Sequence, residues 1–406
     1  MEDVFIARQP IFGRGRAVRA YELLYRSYAS GPNGRFDDDQ ATSRVLANAC
    51  LTIGIDSLTN GRRAYVNFPR DGLLAEYATL VPADRLVVEV LESVRPEPEV
   101  VAALRHLKEL GYRLALDDVI GVEAHWQPFY ELADVVKIDF LGAPRAFRAQ
   151  AVKLAERHEF QLLAEKVETE EEFVKAAKLG YTRFQGYFFA KPQIVAGRRV
   201  PASKLNHLRL MREMHKSEIS IDSLEAIIRG ELSLTYKLLK LLNSPAFGFR
   251  RRITNLRLAL VAVGERELRK WVSLVCLSEL ADDKPQELVV SSMIRALFCE
   301  SLALLLGQKS YATDLYFVGL FSMLDALMDR PLSECLDELA VSPEARAALV
   351  DGSGLQGAVL RVAQAYEAGD WSQVSGLAAV LDLDYDRVAG AFVAAMHRAD
   401  ILFAGT

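Results

Sequence analysis

Arg113-Leu114-Ala115-Leu116-Asp117-Asp118 is a short apolar run closed by two adjacent carboxylates. Leu and Ala alternating behind an Arg predict a buried strand, and Gly111 marks the stop of a preceding helix. Neighbouring carboxylates at a strand end repel each other, and solvent, a basic partner or a bound cation relieves the repulsion. Taken alone, Asp-Asp reads as a solvated turn, because Asp favours loops. The pair does not stand alone. Ala64-Tyr65-Val66-Asn67 ends in an amide, and Leu86-Val87-Val88-Glu89 ends in a carboxylate. Val135-Val136-Lys137-Ile138-Asp139 ends in Lys and Asp. Leu162-Leu163-Ala164-Glu165 ends in a carboxylate with Glu168 close behind, and Phe184-Gln185 opens a further run. In a parallel βα barrel, chemistry sits at the C-terminal ends of the strands. The shared phase predicts that these groups converge on one mouth.

The 406 residues suffice for two or three domains, and a composition 51% hydrophobic and 25% charged is that of an ordinary globular protein. A net charge of −5 gives no electrostatic case for binding a nucleic-acid polymer. The acidic start Met1-Glu2-Asp3-Val4-Phe5-Ile6 lacks the apolar core of a signal peptide. The apolar segment 288–306 is interrupted by Arg295 and Glu300, which predicts a buried helix rather than a membrane span. Cys50, Cys276, Cys299 and Cys335 form no CxxC pair, which fits a reduced, cytoplasmic setting.

Residues 1–198 alternate strand-like and helix-like segments. Runs at 6–11 and 18–24 around Gly13 and Gly15 predict an opening hairpin. Apolar spacing predicts helices over 42–54 and 100–110, the second closed by Gly111. Thr169-Glu170-Glu171-Glu172 is a capping box that starts a helix ending at Gly180. Strands alternating with helices imply a parallel sheet closed as a barrel. The hairpin is a departure from pure βα order.

These residues also carry a family resemblance. Glu22-Leu23-Leu24-Tyr25-Arg26, Asn67, Glu89-Val90-Leu91-Glu92-Ser93, the pair Asp117-Asp118, and Lys137-Ile138-Asp139 occur in the order of the EAL family's motifs. Ala164-Glu165-Lys166-Val167-Glu168-Thr169 and Gln185-Gly186-Tyr187-Phe188-Phe189-Ala190-Lys191-Pro192 continue the series. The first half thus resembles the EAL family, whose members hydrolyse cyclic di-GMP on a modified TIM barrel. The resemblance implies two divalent ions, Mg²⁺ or Mn²⁺, held by Glu22, Asn67, Glu89, Asp117, Asp118 and Glu165. Such ions prefer oxygen ligands, and two of them ~4 Å apart ionise the attacking water and stabilise both attacking and leaving oxygens. Glu165 is implied as the base, Lys137 as a point charge on the water or a phosphate oxygen, and Arg26 as a phosphate ligand. Glu168, Gln185 and Asp139 would complete and orient the site. One loop and two single residues depart from the family pattern. The loop Asp118-Val119-Ile120-Gly121-Val122 replaces the usual DFGTG, Leu91 replaces a Thr, and Lys166 stands where the family has Gly. Lys166 would bring its own charge to the metal site.

Beyond Arg198-Arg199-Val200-Pro201 the pattern turns wholly helical, with helices expected over 232–242, 256–263, 268–280, 287–306, 315–328, 357–367, 374–381 and 385–397. Lys237-Leu238-Leu239-Lys240-Leu241-Leu242-Asn243-Ser244-Pro245 and Ala259-Leu260-Val261-Ala262-Val263-Gly264 resemble the HDOD family, an all-helical relative of HD phosphohydrolases. HD enzymes hold metal with several His and Asp, yet no histidine lies between 216 and 396, and Asp325 alone makes no such site. The expectation is an interaction or output module at 199–406 with a protein partner, and a homodimer is compatible. Arg250-Arg251-Arg252 reads as a solvated turn, and the histidines at 106, 125, 158, 207 and 215 show no ligand spacing. Two readings stand for the whole: a cyclic di-GMP phosphodiesterase, or a catalytically degenerate sensor or scaffold. An unrelated metabolic barrel is disfavoured by the absence of a Gly-rich phosphate loop.

Overall fold

The computed structural model describes residues 4–27, 54–121, 126–189, 207, 210–212, 214, 264–282, 284–339 and 341–404. The chain divides into two units, Met1–Phe188 with Tyr366–Trp371, and Phe189–Ala365 with Ser372–Thr406. The boundary expected at 198/199, the Arg250-Arg251-Arg252 turn, and the helices expected over 232–242 and 256–263 lie outside the described residues. So does all but the last residue of the one expected over 42–54.

The first unit is a closed barrel of eight strands in chain order: β1 Val4–Gly13, β2 Val18–Ser27, β3 Arg63–Phe68, β4 Leu86–Val90, β5 Arg113–Val119, β6 Val135–Asp139, β7 Gln161–Glu165 and β8 Arg183–Phe184. β1 runs antiparallel to both β2 and β8, and every other neighbouring pair is parallel. The opening hairpin is present, and at its open end β1 starts two residues earlier and β2 ends three residues later than the apolar runs suggested. Strands β4 and β6 are buried along their whole length, as parallel strands are when helices cover their outer face.

The helices between strands follow their local signals. Pro98–Glu109 has Pro in its first turn and buries Val100, Leu104 and Leu107 on one face. Glu170–Leu179 starts at the capping box: the Thr169 hydroxyl accepts from the Glu172 amide at 3.2 Å, and the Glu172 carboxylate accepts from the Thr169 amide at 3.2 Å. Gly180 closes it at φ 119°, a left-handed conformation that glycine adopts freely. Inside the barrel, Ile11, Ala20, Tyr65, Val87, Ala115, Val135 and Leu163 form a buried plug with one residue from each of β1 to β7.

The described residues of the second unit are helical. Glu265–Leu280, Gln286–Leu305, Gly354–Ala368, Trp371–Val380 and Tyr385–Ala404 match the expected helices and extend most of them by a turn or less. Gln286–Leu305 is long and apolar enough to cross a membrane by composition, but 78% of its most apolar window is buried against the rest of the protein. It packs between Ala312–Phe321 and Tyr385–Ala404. The single helix expected over 315–328 is broken into Ala312–Phe321 and Leu324–Met328. At the break the Ser322 hydroxyl donates to the Gly319 carbonyl at 2.8 Å and accepts from Arg295 Nη1 at 2.8 Å. This side chain ties off the helix end in a way hydrophobic spacing does not register. Pro343–Asp351 was not anticipated, although Ser342 caps it by accepting from the Ala345 amide at 3.1 Å.

Candidate metal and nucleotide site at the barrel mouth

Side chains on a strand alternate with a period of two. One pleat beyond each plug residue, on the mouth side, stands a polar group. Glu22 follows Ala20, Asn67 follows Tyr65, Glu89 follows Val87, Asp117 follows Ala115, Lys137 follows Val135 and Glu165 follows Leu163. Because β1 is antiparallel, its mouth-side neighbour precedes Ile11, and that residue is Gln9, paired across the ladder with Glu22. The acids gather because the period that buries the plug also lifts them onto the floor of the mouth.

Lys137 is the centre of that floor and is fully buried. Its Nζ lies 2.6 Å from Asp117 Oδ1, 2.8 Å from Glu89 Oε1, 2.8 Å from Glu165 Oε1 and 3.4 Å from Glu22 Oε2. Glu22 is held on its other side as well: Asn67 Nδ2 donates to Oε1 at 3.3 Å and Gln185 Nε2 donates to Oε2 at 2.6 Å. Gln185 Nε2 also donates to Gln9 Oε1 at 2.9 Å. The Tyr25 hydroxyl donates to the Asn67 carbonyl and fixes the end of β3.

One cation does not satisfy four carboxylates. Glu89 Oε2, Glu165 Oε2 and Asn67 Oδ1 are buried without a hydrogen-bond partner. Glu89 Oε1 faces the Lys137 ammonium without an aligned hydrogen bond. Burial pushes Glu89 well above the usual carboxylate range, and Lys137 pulls it only part of the way back. Burial likewise pushes Glu165 up to about 8, with Asp117 and Glu22 adding to the rise against Lys137. Burial alone would lower Lys137, but Asp117, Glu165, Glu22 and Glu89 hold its ammonium well above the ordinary lysine value. Unpartnered buried acceptors and proton-retaining carboxylates fit hard divalent cations, which take oxygen ligands.

A second set of charges lies at the rim. The β5–β6 register slips between Leu116 and Val119, as at a β-bulge that re-aims a side chain. Asp118 there has φ 47°. Glu92, Asp117 and Asp118 each offer a carboxylate oxygen within 4.8 Å of the others. Lys166, at φ 51°, reaches Asp118 Oδ1 at 3.0 Å and Asp139 Oδ2 at 2.8 Å. Asp139 Oδ1 accepts from the Leu141 amide at 2.7 Å and the Gly142 amide at 2.8 Å. Burial would raise Asp139, but Lys166 and these amides hold it below its ordinary value.

Of the residues singled out from the sequence, Glu22, Asn67, Glu89, Asp117, Lys137, Glu165 and Gln185 form one connected cluster. Asp118 and Asp139 are linked through Lys166 at the rim. Glu168 lies half-buried beyond the end of β7, where its amide donates to the Glu172 carboxylate at 2.9 Å. The Arg26 side chain lies outside the described residues. Gln185 is brought beside the β7 loop by a close backbone crossing, with Val167 N donating to Gln185 O at 3.0 Å. A Cβ on Gly186, which sits at φ 139°, would lie 2.2 Å from the Val167 carbonyl oxygen. Two residues, one in the cluster and one at the rim, were missed. Gln9 was readable from the hairpin, which reverses β1 and puts the mouth at its beginning. Glu92 was visible as a second acid three residues after Glu89 but has no strand phase to mark it.

Fold and mouth together define a βα barrel with an acid-lined, oxygen-rich site of the kind that holds divalent cations. Residues 70–192 match the EAL domain, and residues 201–336 match the HDOD domain. The Vibrio cholerae protein CdgJ, a cyclic di-GMP phosphodiesterase, is 33% identical over 391 residues, covering 96% of this chain and 90% of its own. The Bacillus subtilis protein YuxH is 33% identical over 386 residues, covering 93% and 94%. The solved Bacillus subtilis protein YkuI, an EAL-domain protein in complex with cyclic di-GMP and calcium, aligns at 24% identity and a TM-score of 0.37 over 46% of this chain and 55% of its own. The chain belongs to the EAL–HDOD family of proteins.

Proposed function

We propose that the chain is a bacterial cyclic di-GMP signalling protein of the cytoplasm that binds the cyclic dinucleotide and, with Mg²⁺ or Mn²⁺, hydrolyses it to the linear form. The observation that carries this reading is the set of buried, unpartnered oxygen atoms on Asn67, Glu89 and Glu165 in a cluster already too rich in negative charge. Glu22, Asn67, Glu89, Asp117, Asp118 and Glu165 are the residues that would hold the cations. Bound there, the cations supply an acidified water and neutralise charge on the phosphodiester. Lys137 keeps four carboxylates at fixed spacing by binding one oxygen of each. Glu165 is assigned as the general base by the family resemblance, and cations bound beside it would favour the carboxylate form that a base needs. Gln185, Gln9 and Asn67 orient Glu22. Glu168 and Arg26 flank the same mouth by sequence and are assigned to orientation and to a phosphate.

The helical unit is assigned to interaction with a protein partner, and a homodimer fits the same output role. Among the described residues, no cluster of three metal-type side chains falls in that unit. A second reading, nucleotide binding without turnover, is favoured by Lys166, which already engages Asp118 and Asp139. The test is incubation of the full chain with cyclic di-GMP and Mn²⁺, followed by chromatography. The expected result is metal-dependent linear dinucleotide, lost in Glu165→Gln while calorimetric nucleotide binding persists. Binding without product in the wild type selects the second reading. Neither binding nor product refutes both.

A further inference from the structure

Lys166 is not part of the Lys137 cluster, yet it is a further cation of the mouth among the described residues. Its Nζ bridges carboxylates from two strands, Asp118 of β5 and Asp139 of β6, at 3.0 and 2.8 Å. It does so from a left-handed backbone conformation at φ 51°, which is strained for a long side chain and relaxed for glycine. Asp139 is pinned for this contact by the Leu141 and Gly142 amides. Asp118 is one of the three carboxylates, with Glu92 and Asp117, whose oxygens approach one another closely enough to share an ion. The buried acceptors on Asn67, Glu89 and Glu165 lie in the other cluster, which Lys166 does not touch.

Building on the proposed metal-dependent reading, we infer that Lys166 is a tethered cation standing in for one of two divalent ions, so that the mouth takes a first ion readily and a second only when Lys166 leaves Asp118. The first ion uses the Glu22, Asn67, Glu89 and Asp117 side. The second needs Asp118, whose carboxylate the ammonium neutralises. The Lys166 side chain is 47% exposed, so water screens the contact and the ammonium is displaceable. Lys166 is therefore a determinant of metal stoichiometry and carries no chemical step.

The experiment is a Mn²⁺ titration of the full chain without nucleotide, with free Mn²⁺ read by electron paramagnetic resonance, on the wild type, Lys166→Met and Lys166→Gly. Met keeps the stem and removes the charge, and Gly also relieves the backbone. The expected wild type binds one ion tightly and a second about tenfold more weakly or worse, the scale of two partly screened ion pairs. Both variants are expected to tighten the second ion by about the same factor. Two equivalent ions in the wild type, or variants that bind as it does, overturn the role of Lys166 and leave the phosphodiesterase reading standing. No ion bound by any of the three proteins overturns both.

Discussion

At Lys137 one positive charge faces four carboxylates, and the surplus negative charge is left without a partner in the cluster. The excess appears as retained protons: Glu165 titrates at about 8 in the folded chain against an ordinary 4.5. Between those values the folded chain holds a proton that the unfolded chain releases. The stability from this group is thus full below about pH 4.5 and is lost as pH rises toward about 8. Without metal, the melting temperature is expected to fall across that window, and Glu165→Gln is expected to flatten the fall in differential scanning calorimetry. An unchanged slope in the variant contradicts the assignment. Glu89, Asp117, Lys137 and Glu165 were legible because each stands at or next to the end of an apolar run, and Glu22 was legible only through the Glu22-Leu23-Leu24-Tyr25-Arg26 motif. Their arrangement around Lys137 was not: nothing in Val135-Val136-Lys137-Ile138-Asp139 says that the lysine points inward among acids instead of outward to a phosphate.

At the scale of strands and helices, the organising rule is the alternation that makes Ala20, Tyr65, Val87, Ala115, Val135 and Leu163 plug the barrel and places the polar set one pleat above. Periodicity of this kind is a sequence property, so the strand ends were readable, as was the Thr169 capping box. What periodicity cannot encode is the pairing of separate segments. The slipped register at Asp117-Asp118 and the crossing of Gly186 over Val167 both depend on a neighbour distant in sequence. The crossing makes a prediction. In Gly186→Ala the new methyl meets the Val167 carbonyl at a φ unsuited to alanine, so urea unfolding is expected to show a loss of about 1–3 kcal/mol. A neutral substitution would mean that the two segments do not cross so closely. In the helical unit, the break at Ser322 was illegible for the same reason, since it is anchored by Arg295 from another helix.

Over the whole molecule, chemistry and helical packing are divided between the two units. The barrel concentrates acids, while the described part of the helical unit buries the apolar helix Gln286–Leu305 among other helices and has no cluster of metal-type side chains. The central claim is therefore local: divalent ions bind at the barrel mouth, on oxygen atoms that the fold leaves without partners. The most direct measurement is anomalous diffraction at the manganese edge from crystals of the full chain soaked in Mn²⁺. The account predicts a peak coordinated by Glu22, Asn67, Glu89 and Asp117, with Lys137 moved away from at least one of the carboxylates it now binds. Anomalous density confined to other parts of the chain, or a Lys137 cluster unchanged with no peak beside it, would contradict it.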